Sequence, residues 1–174
     1  MIYAIAFLVF ALILVFWQAS HLISAIYGAP VIYSGDKTVK KTFELAQLKP
    51  GKTMFDLGCG NAKSLIYAAR EFKARGIGIE ISPFYYLLAK INVFLSGESK
   101  NIRIIFGDSR NRAAEIQKAD LVYIYSISGT IEKIEPWLFE TVNLGTKIIS
   151  VGFAFKKHRP AVRNSAPVLF LYQK

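Results

Sequence analysis

The chain has 174 residues, enough for one domain with a single hydrophobic core and too few for two ordinary domains. It carries 22 Lys and Arg against 12 Asp and Glu, a formal net charge of +10. A basic chain suits an anionic membrane surface, a nucleic acid or an acidic partner, without choosing among them. The single cysteine, Cys59, excludes an intrachain disulfide.

Charge is absent from the first part of the chain: residues 1–35 contain no Asp, Glu, Lys or Arg. The run from Ile2 to about Ile23 supplies the roughly 20 residues that a membrane span needs. A secretory signal peptide, which would need a basic segment before the apolar run, and a buried core helix are the alternatives. We expect a transmembrane anchor over residues 1–28, followed by the folded domain over residues 29–174.

Positive charge follows this apolar segment on one side only, at Lys37, Lys40, Lys41, Lys49 and Lys52. The positive-inside bias therefore predicts a single-pass membrane protein whose folded domain faces the cytoplasm. In a eukaryotic cell the membrane could be mitochondrial.

Helices and strands are predicted to alternate through the rest of the chain. In chain order they are a helix over 36–48, a strand over 53–57, a helix over 62–72, a strand over 76–81, a helix over 83–94, a strand over 102–106, a helix over 113–117, a strand over 119–125, a helix over 131–142 and strands over 146–153 and 167–172. Continuous apolar strands between helices indicate an α/β, Rossmann-like, doubly wound and mostly parallel sheet. Only one strand is predicted after the fifth, so we expect fewer than seven, and residues 159–164 receive no element.

A glycine turn, FDLGCGNA at residues 55–62, ends the first strand and opens a helix. A dinucleotide fingerprint would need a third glycine at position 63, where this chain has Lys63, and the P-loop pattern is absent. Asp56 just before the turn would repel a diphosphate. It suits instead a cationic ligand or one that donates hydrogen bonds.

Two more acids follow at the ends of the next two predicted strands, Glu80 and Asp108. The carboxyl ends of parallel strands meet at one edge of the sheet, where ligands bind. Glu80 can accept hydrogen bonds from both ribose hydroxyls of a nucleoside, and Asp108 can accept one from an adenine amine. Each acid alone fits a solvated loop carboxylate equally well, but three in register point to a ligand.

The chain resembles the class I S-adenosylmethionine-dependent methyltransferases, on the motif Asp56-Leu57-Gly58-Cys59-Gly60 with Glu80 and Asp108. More narrowly it resembles the membrane-anchored lysine methyltransferases that act on the ATP synthase c subunit and the adenine nucleotide translocase. That likeness includes the apolar segment, I-E-x-x-P over 79–83 and F-x-F over 153–155. Ala62 departs from it, because the family usually has glycine there, and so does the Tyr33-Ser34-Gly35 segment.

The resemblance implies S-adenosyl-L-methionine as the cofactor. The residues that it assigns to the cofactor are Asp56, Leu57, Gly58, Cys59, Gly60, Asn61, Glu80, Ile81, Asp108 and Ser109. Candidates on the substrate side are Tyr33, Ser126 and Ser128, the last two at the end of the fourth strand. No residue is assigned with certainty to catalysis, and no metal is expected.

These observations predict a protein-lysine N-methyltransferase whose substrate is a membrane or membrane-associated protein. The alternatives are a methyltransferase for a small amphipathic molecule or lipid, and a non-catalytic adapter that binds the cofactor. No nucleic-acid partner is expected, because the chain lacks the N-P-P-Y type motif of amide and adenine methylation and a recognisable basic and aromatic binding module.

Overall fold

The computed structural model describes residues 1–26 and 35–174. The helices are α1 (Ile2–Ile26), α2 (Asp36–Ala46), α3 (Lys63–Phe72), α4 (Pro83–Ser96), α5 (Ala113–Ile116) and α6 (Ser128–Thr141), with a 3-10 turn over Ser109–Arg112. The strands are β1 (Thr53–Leu57), β2 (Arg75–Glu80), β3 (Ile102–Phe106), β4 (Leu121–Tyr125), β5 (Lys147–Val151), β6 (Val162–Ser165) and β7 (Val168–Gln173).

The strands form one sheet in the order β3-β2-β1-β4-β5-β7-β6. The first five of these are mutually parallel, and β7 runs antiparallel to both β5 and β6. The strand order reverses between β1 and β4, which is where a doubly wound sheet opens a crevice for ligands. The predicted α/β, mostly parallel fold is therefore confirmed.

The expectation of fewer than seven strands was wrong, because β6 is present. Its four residues, VRNS, are mostly exposed and pair only with β7, at the edge of the sheet. A short, polar edge strand has no buried face and so no apolar alternation by which sequence could reveal it. It covers half of the stretch 159–164 to which no element had been assigned.

The sheet is buried on both faces because successive side chains of each strand point to opposite sides. In β1, Met54 belongs to a core with α2, α3 and α4 that includes Phe43 and Leu65. The next residue, Phe55, belongs to a second core with α5 and α6 that includes Leu138. This arrangement leaves the strand ends, rather than the sheet faces, available for a ligand.

Helix α1 is 25 residues long, about 37 Å at 1.5 Å per residue, and is long and apolar enough to cross a membrane. The domain does not cover it: residues 1–19 are exposed or half-buried, and only Ser20 and Ser24 are buried. Ser20 Oγ accepts a hydrogen bond from the Phe84 backbone N–H at 3.2 Å, and His21 meets Tyr85 edge to face. Helix α1 therefore docks on the first turn of α4.

The expected end of the apolar helix near Ile23 falls three residues before its observed end at Ile26. The expected boundary between residues 28 and 29 lies outside the described residues.

Close packing beside the glycine turn yields a stability prediction for Gly78 in β2. A Cβ built there lies 2.6 Å from Cys59 Sγ and 2.6 Å from Leu65 Cδ1, too close for either atom to stay in place. We expect Gly78→Ala to lower the free energy of unfolding by about 1–3 kcal/mol, the usual cost of overpacking. Denaturant unfolding of the full chain in detergent measures it.

The matched control is Gly129→Ala in α6, where the added Cβ meets nothing within 4 Å. This variant should be as stable as the wild type or more stable by up to about 1 kcal/mol, because alanine favours a helix. Equal unfolding midpoints for Gly78→Ala and Gly129→Ala would contradict the prediction.

Candidate functional site

A cleft opens at the carboxyl ends of β1, β2, β3 and β4, across the point where the strand order reverses. Such a crevice is where doubly wound sheets bind their ligands. It is lined by Leu57, Gly58, Ile79, Ile81, Gly107, Asp108, Ser109, Arg110, Ile124, Ser126, Thr130, Lys133 and Ile134. Six of the predicted site residues are among them: Leu57, Gly58, Ile81, Asp108, Ser109 and Ser126.

The glycine turn leaves bare backbone beside this cleft. Gly58 and Gly60 have φ of +94° and +53°, which a side chain would strain, and neither has an atom within 4 Å of where a Cβ would stand. The Gly58 and Cys59 N–H groups donate to the Ile79 carbonyl at 2.9 and 3.1 Å. These bonds hold the turn against the end of β2, so that a ligand can approach its backbone closely.

Asn61 and Ala62 complete the turn. The Asn61 side-chain oxygen accepts from the Lys63 N–H at 3.2 Å, and the backbone carbonyl of Asn61 accepts from the Asn92 side-chain amide at 3.0 Å. Ala62, the N-cap of α3, has φ of +63° and ψ of 18°, in the left-handed region. Glycine adopts this conformation without strain, whereas an alanine in it costs on the order of 1 kcal/mol.

Glu80 is buried, with 5% of its surface exposed, and both carboxylate oxygens are engaged. Oε2 accepts from the Gly60 N–H and Oε1 from the Ser82 N–H, each at 2.8 Å. Burial raises the pKa of Glu80, although the backbone donors act in the opposite direction. Each oxygen retains a second lone pair, so the carboxylate can still accept hydrogen bonds from a ligand.

Asp56 lies deeper, beneath the turn, with 2% of its surface exposed, and does not line the cleft. Its carboxylate accepts a short hydrogen bond from the Ser64 hydroxyl of α3. Burial raises the pKa of Asp56 to about 7, against the hydrogen bond from Ser64 and with help from the negative charge of Glu80. Asp56 therefore titrates near neutral pH, where a cationic ligand could shift it.

Cys59 is buried against Gly78. Burial raises the pKa of its thiol well above the usual value, and the charges of Asp56 and Glu80 add to the effect. The thiol stays protonated and is therefore not an activated nucleophile. Of the two interpretations of this residue, a reactive thiol or a small packed side chain, the structure favours packing.

Asp108 lines the cleft just after β3, where it caps the 3-10 turn. Its Oδ1 accepts from the Arg110 backbone N–H at 2.9 Å, and its Oδ2 lies 2.6 Å from the Arg110 guanidinium. Partial burial by itself raises the pKa of Asp108, but the hydrogen bonds and charge of Arg110 outweigh it and hold the pKa below its usual value. Asp108 is thus an ionised acceptor at the rim, as the adenine-side role requires, and that contact stays a prediction.

The substrate-side candidates are not placed alike. Ser126 is buried in the cleft wall, and its hydroxyl has no hydrogen-bond partner among the described residues. Ser128 is exposed at the start of α6 and is not part of the lining. Tyr33 lies outside the described residues.

Sequence reasoning missed three polar residues of the cleft, Arg110, Thr130 and Lys133. Thr130 and Lys133 share one face of the first turns of α6 with Ile134, at helical spacing. The helix had been predicted to begin at residue 131 rather than at Ser128. A helix predicted to begin at residue 128 would have placed Thr130 on the same face as Lys133 and Ile134.

Comparison with known proteins agrees with this geometry. The profile of the family described as the ANTKMT methyltransferase domain matches residues 56–162, more than half of the chain. A protein-lysine N-methyltransferase of Saccharolobus islandicus is 25% identical over 132 residues, covering 75% of this chain and 81% of that protein. A ribosomal protein L11 methyltransferase of an Enterobacter species is 30% identical over 86 residues, covering 49% of this chain but 28% of that protein.

Solved structures share the fold. An RNA methyltransferase from Salinibacter ruber, crystallised with S-adenosyl-L-homocysteine, superposes with a TM-score of 0.75 at 28% identity, covering 82% of this chain and 93% of that one. A methyltransferase from Thiobacillus denitrificans superposes with a TM-score of 0.61 at 21% identity, covering 76% and 54%, and shows the fold alone. The matched residues 56–162 include the glycine turn, Glu80 and Asp108. The chain therefore belongs to the family of ANTKMT methyltransferase domains and is an S-adenosylmethionine-dependent methyltransferase of class I.

Proposed function

We propose that the protein is a protein-lysine N-methyltransferase whose substrate is a membrane protein or a protein held at a membrane. The observation that carries the proposal is the position of α1. This helix docks on the first turn of α4 at Phe84, three residues after Ile81, which lines the cleft. The lysine specificity draws support from the relative in Saccharolobus islandicus.

The apolar helix and the cleft meet at the same edge of the sheet. Glu80 ends β2 and Ser82 precedes α4. The Phe84 backbone N–H of α4 donates to Ser20 of α1, and the Phe84 ring lies at a tilt to that of Phe16, with 6.2 Å between the centroids. If α1 spans a bilayer, the cleft stands close to its surface. Tethering then presents lysines on that surface at a high effective concentration.

Residues that line the cleft or lie next to it suit the cofactor. The bare backbone at Gly58 and Gly60 can admit the amino-acid end, the remaining acceptor positions of Glu80 suit ribose hydroxyls, and Asp108 at the rim can accept from an adenine amine. S-adenosylmethionine supplies an electrophilic methyl group on a cationic sulfur. The protein has to align the acceptor nitrogen with that carbon and exclude water.

A lysine acceptor must be neutral before it attacks. The side chain of Lys133 lines the cleft, and a positive charge near an incoming ammonium lowers the pKa of that ammonium. The unpartnered hydroxyl of Ser126 can accept a hydrogen bond from the amine and direct its lone pair. In this proposal Ser126 is a positioning residue, and Ser128 and Tyr33 stay predictions on the substrate side.

The exposed lysines of α2 support a cytoplasmic location for the domain. Lys37, Lys40 and Lys41 follow α1 and lie on the surface, whereas α1 itself carries no charged side chain. The positive-inside rule counts such residues near the end of a span. In a eukaryotic cell the same reasoning applies to a mitochondrial membrane.

The first prediction for this site concerns Glu80. We expect Glu80→Gln to weaken S-adenosylmethionine binding about 10- to 100-fold, because one charge-assisted hydrogen bond is worth roughly 1.5–3 kcal/mol. Titration calorimetry on the full chain in detergent measures it, with circular dichroism to verify folding. The control is Glu98→Gln, whose carboxylate bonds to Asn101 instead; equal affinity of the two variants would contradict the role of Glu80.

A second prediction concerns the proton on Asp56. If Asp56 faces the cationic amino-acid end of the cofactor, binding lowers its pKa from about 7, so at a pH of about 6 binding releases a proton. Calorimetry in two buffers with different ionisation enthalpies measures this release. Asp56→Asn should abolish it even though Glu80 is retained; an unchanged release in that variant would assign the proton to Glu80.

The third prediction tests the substrate class. Full-length protein, membranes of the source cell and S-adenosylmethionine labelled in its methyl group should yield label in protein, at lysine side chains identified by mass spectrometry. Glu80→Gln provides the matched inactive control.

Other distributions of the label would overturn the proposal in distinct ways. Label in the lipid fraction would favour the alternative of an amphipathic substrate, and label in RNA would favour a nucleic-acid enzyme. No transfer by a chain that still binds the cofactor and is given native membranes would favour the adapter.

A further inference from the structure

Helix α4 carries a large apolar face that no described part of the protein covers. Leu87 and Ile91 are 49% and 54% exposed, and Phe94 and Leu95 are 75% and 74% exposed. The opposite side of the helix, with Tyr85, Ala89 and Val93, is buried against the sheet. Most of the large hydrophobic side chains exposed elsewhere belong to α1, so this is a separate patch on the domain itself.

The exposed residues and the half-buried Phe84 form one stripe along the helix. Positions 84, 87, 91 and 94 follow at spacings of three or four residues, and 95 lies four after 91, which places all five on a single face. From 84 to 95 the stripe runs for about 17 Å. An apolar stripe of this length on a surface helix indicates a partner surface rather than isolated exposure.

The stripe is continuous with the docking site of α1. Phe84, its first member, packs against Phe16 and donates its backbone N–H to Ser20. Phe84 and Tyr85, the residues of α4 that make these contacts with α1, lie in the first turn of α4. The rest of the stripe therefore extends away from the point at which the apolar helix meets the domain.

The charges around the stripe are positive. Lys90 is the only charged residue of α4, and it extends over the Tyr86 ring at 5.6 Å. Beyond the helix, Lys100 and Arg103 are exposed, and the Arg70 guanidinium donates to the Ser96 carbonyl at 2.6 Å. The neighbouring acid Glu98 is occupied by Asn101. An apolar stripe bordered by cations is the pattern of a helix lying in a bilayer interface with anionic headgroups.

We propose that the exposed face of α4 lies in the headgroup region of the same bilayer that α1 spans, an inference that rests on the membrane location proposed above. The domain then has two membrane contacts, a span and an interfacial helix, joined at Phe84. A span alone leaves the domain free to rotate about one tether, whereas the second contact sets its orientation. The occupant of the stripe is lipid.

This orientation narrows the substrate. Phe106 at the end of β3 is half exposed and packs on Tyr86 of α4 at 5.3 Å between ring centroids, and the next residues, Gly107 and Asp108, line the cleft. The rim of the cleft is thus one side chain away from the interfacial helix. The acceptor that fits is a lysine close to the bilayer surface, rather than one on a distant soluble domain.

Lipid quenching of site-specific fluorescent labels tests the proposal on the full-length protein in vesicles that contain anionic lipid. Single cysteines replace Ile91 or Leu95, each exposed, and receive an environment-sensitive fluorophore. Cys59 can stay, because it is buried and its thiol remains protonated; the parent chain verifies that it takes up no label. Phe10→Cys reports on the span, and Glu140→Cys, exposed on α6 across the sheet from α4, is the matched control away from the stripe.

With lipids brominated along their acyl chains, we expect the labels at 91 and 95 to lose fluorescence as the label at 10 does, and the label at 140 to lose none. Quenching at 10 without quenching at 91 and 95 would overturn the interfacial contact and leave the span intact. If the labels at 91 and 95 are not quenched by the lipid but become less exposed to water as the protein density in the vesicles rises, the occupant of the stripe is a second copy of the chain rather than lipid. No quenching at 10 would refute the membrane location and this inference together.

Discussion

The carboxylate of Glu80 is the contact on which the geometry of the site depends. Its two oxygens accept from Gly60 in the glycine turn and from Ser82 at the entrance to α4, each at 2.8 Å. Burying a charge is unfavourable unless donors replace the lost water, and these two N–H groups do so. One side chain thereby joins β1, β2 and α4, and α4 in turn positions α1.

Electrostatics divides the molecule into a basic exterior and an acidic interior at the cleft. The chain carries a net charge of +10, yet Asp56 and Glu80 are buried together and the pKa of each is raised. Such a pair is stabilised by a ligand that brings positive charge and hydroxyl donors, as the sulfonium cofactor of this enzyme class does. The basic exterior suits anionic lipid. The two regions thus select partners of different chemistry.

The proposed membrane contacts and the chemistry share one part of the fold. Because α4 begins where the cofactor-binding edge ends, any surface that holds α4 also holds the cleft at a set distance from it. Substrate selection can then arise from position as well as from the shape of the pocket. Few side chains would be needed for lysine recognition, and Ser126, Thr130 and Lys133 are polar groups that β4 and α6 bring to the cleft.

Local chemistry in the sequence determined much of this protein: apolar strands separated by helices, the glycine turn, and acids at successive strand ends predicted the fold class and six of the residues that line the cleft. Strands β1 and β3 begin and end where predicted, because buried apolar runs between turns carry a local signal. Only the tertiary structure decided the rest. Strand β6 exists through pairing with β7, Asp56 is withdrawn beneath the turn by Ser64, and Ser20 meets Phe84 across 64 positions of the chain. The contact of Ser20 with Phe84 depends on long-range packing, which no local pattern encodes. Strand β6 and the Asp56–Ser64 pair are close in sequence, but they are polar and lack the apolar period by which sequence reveals an element.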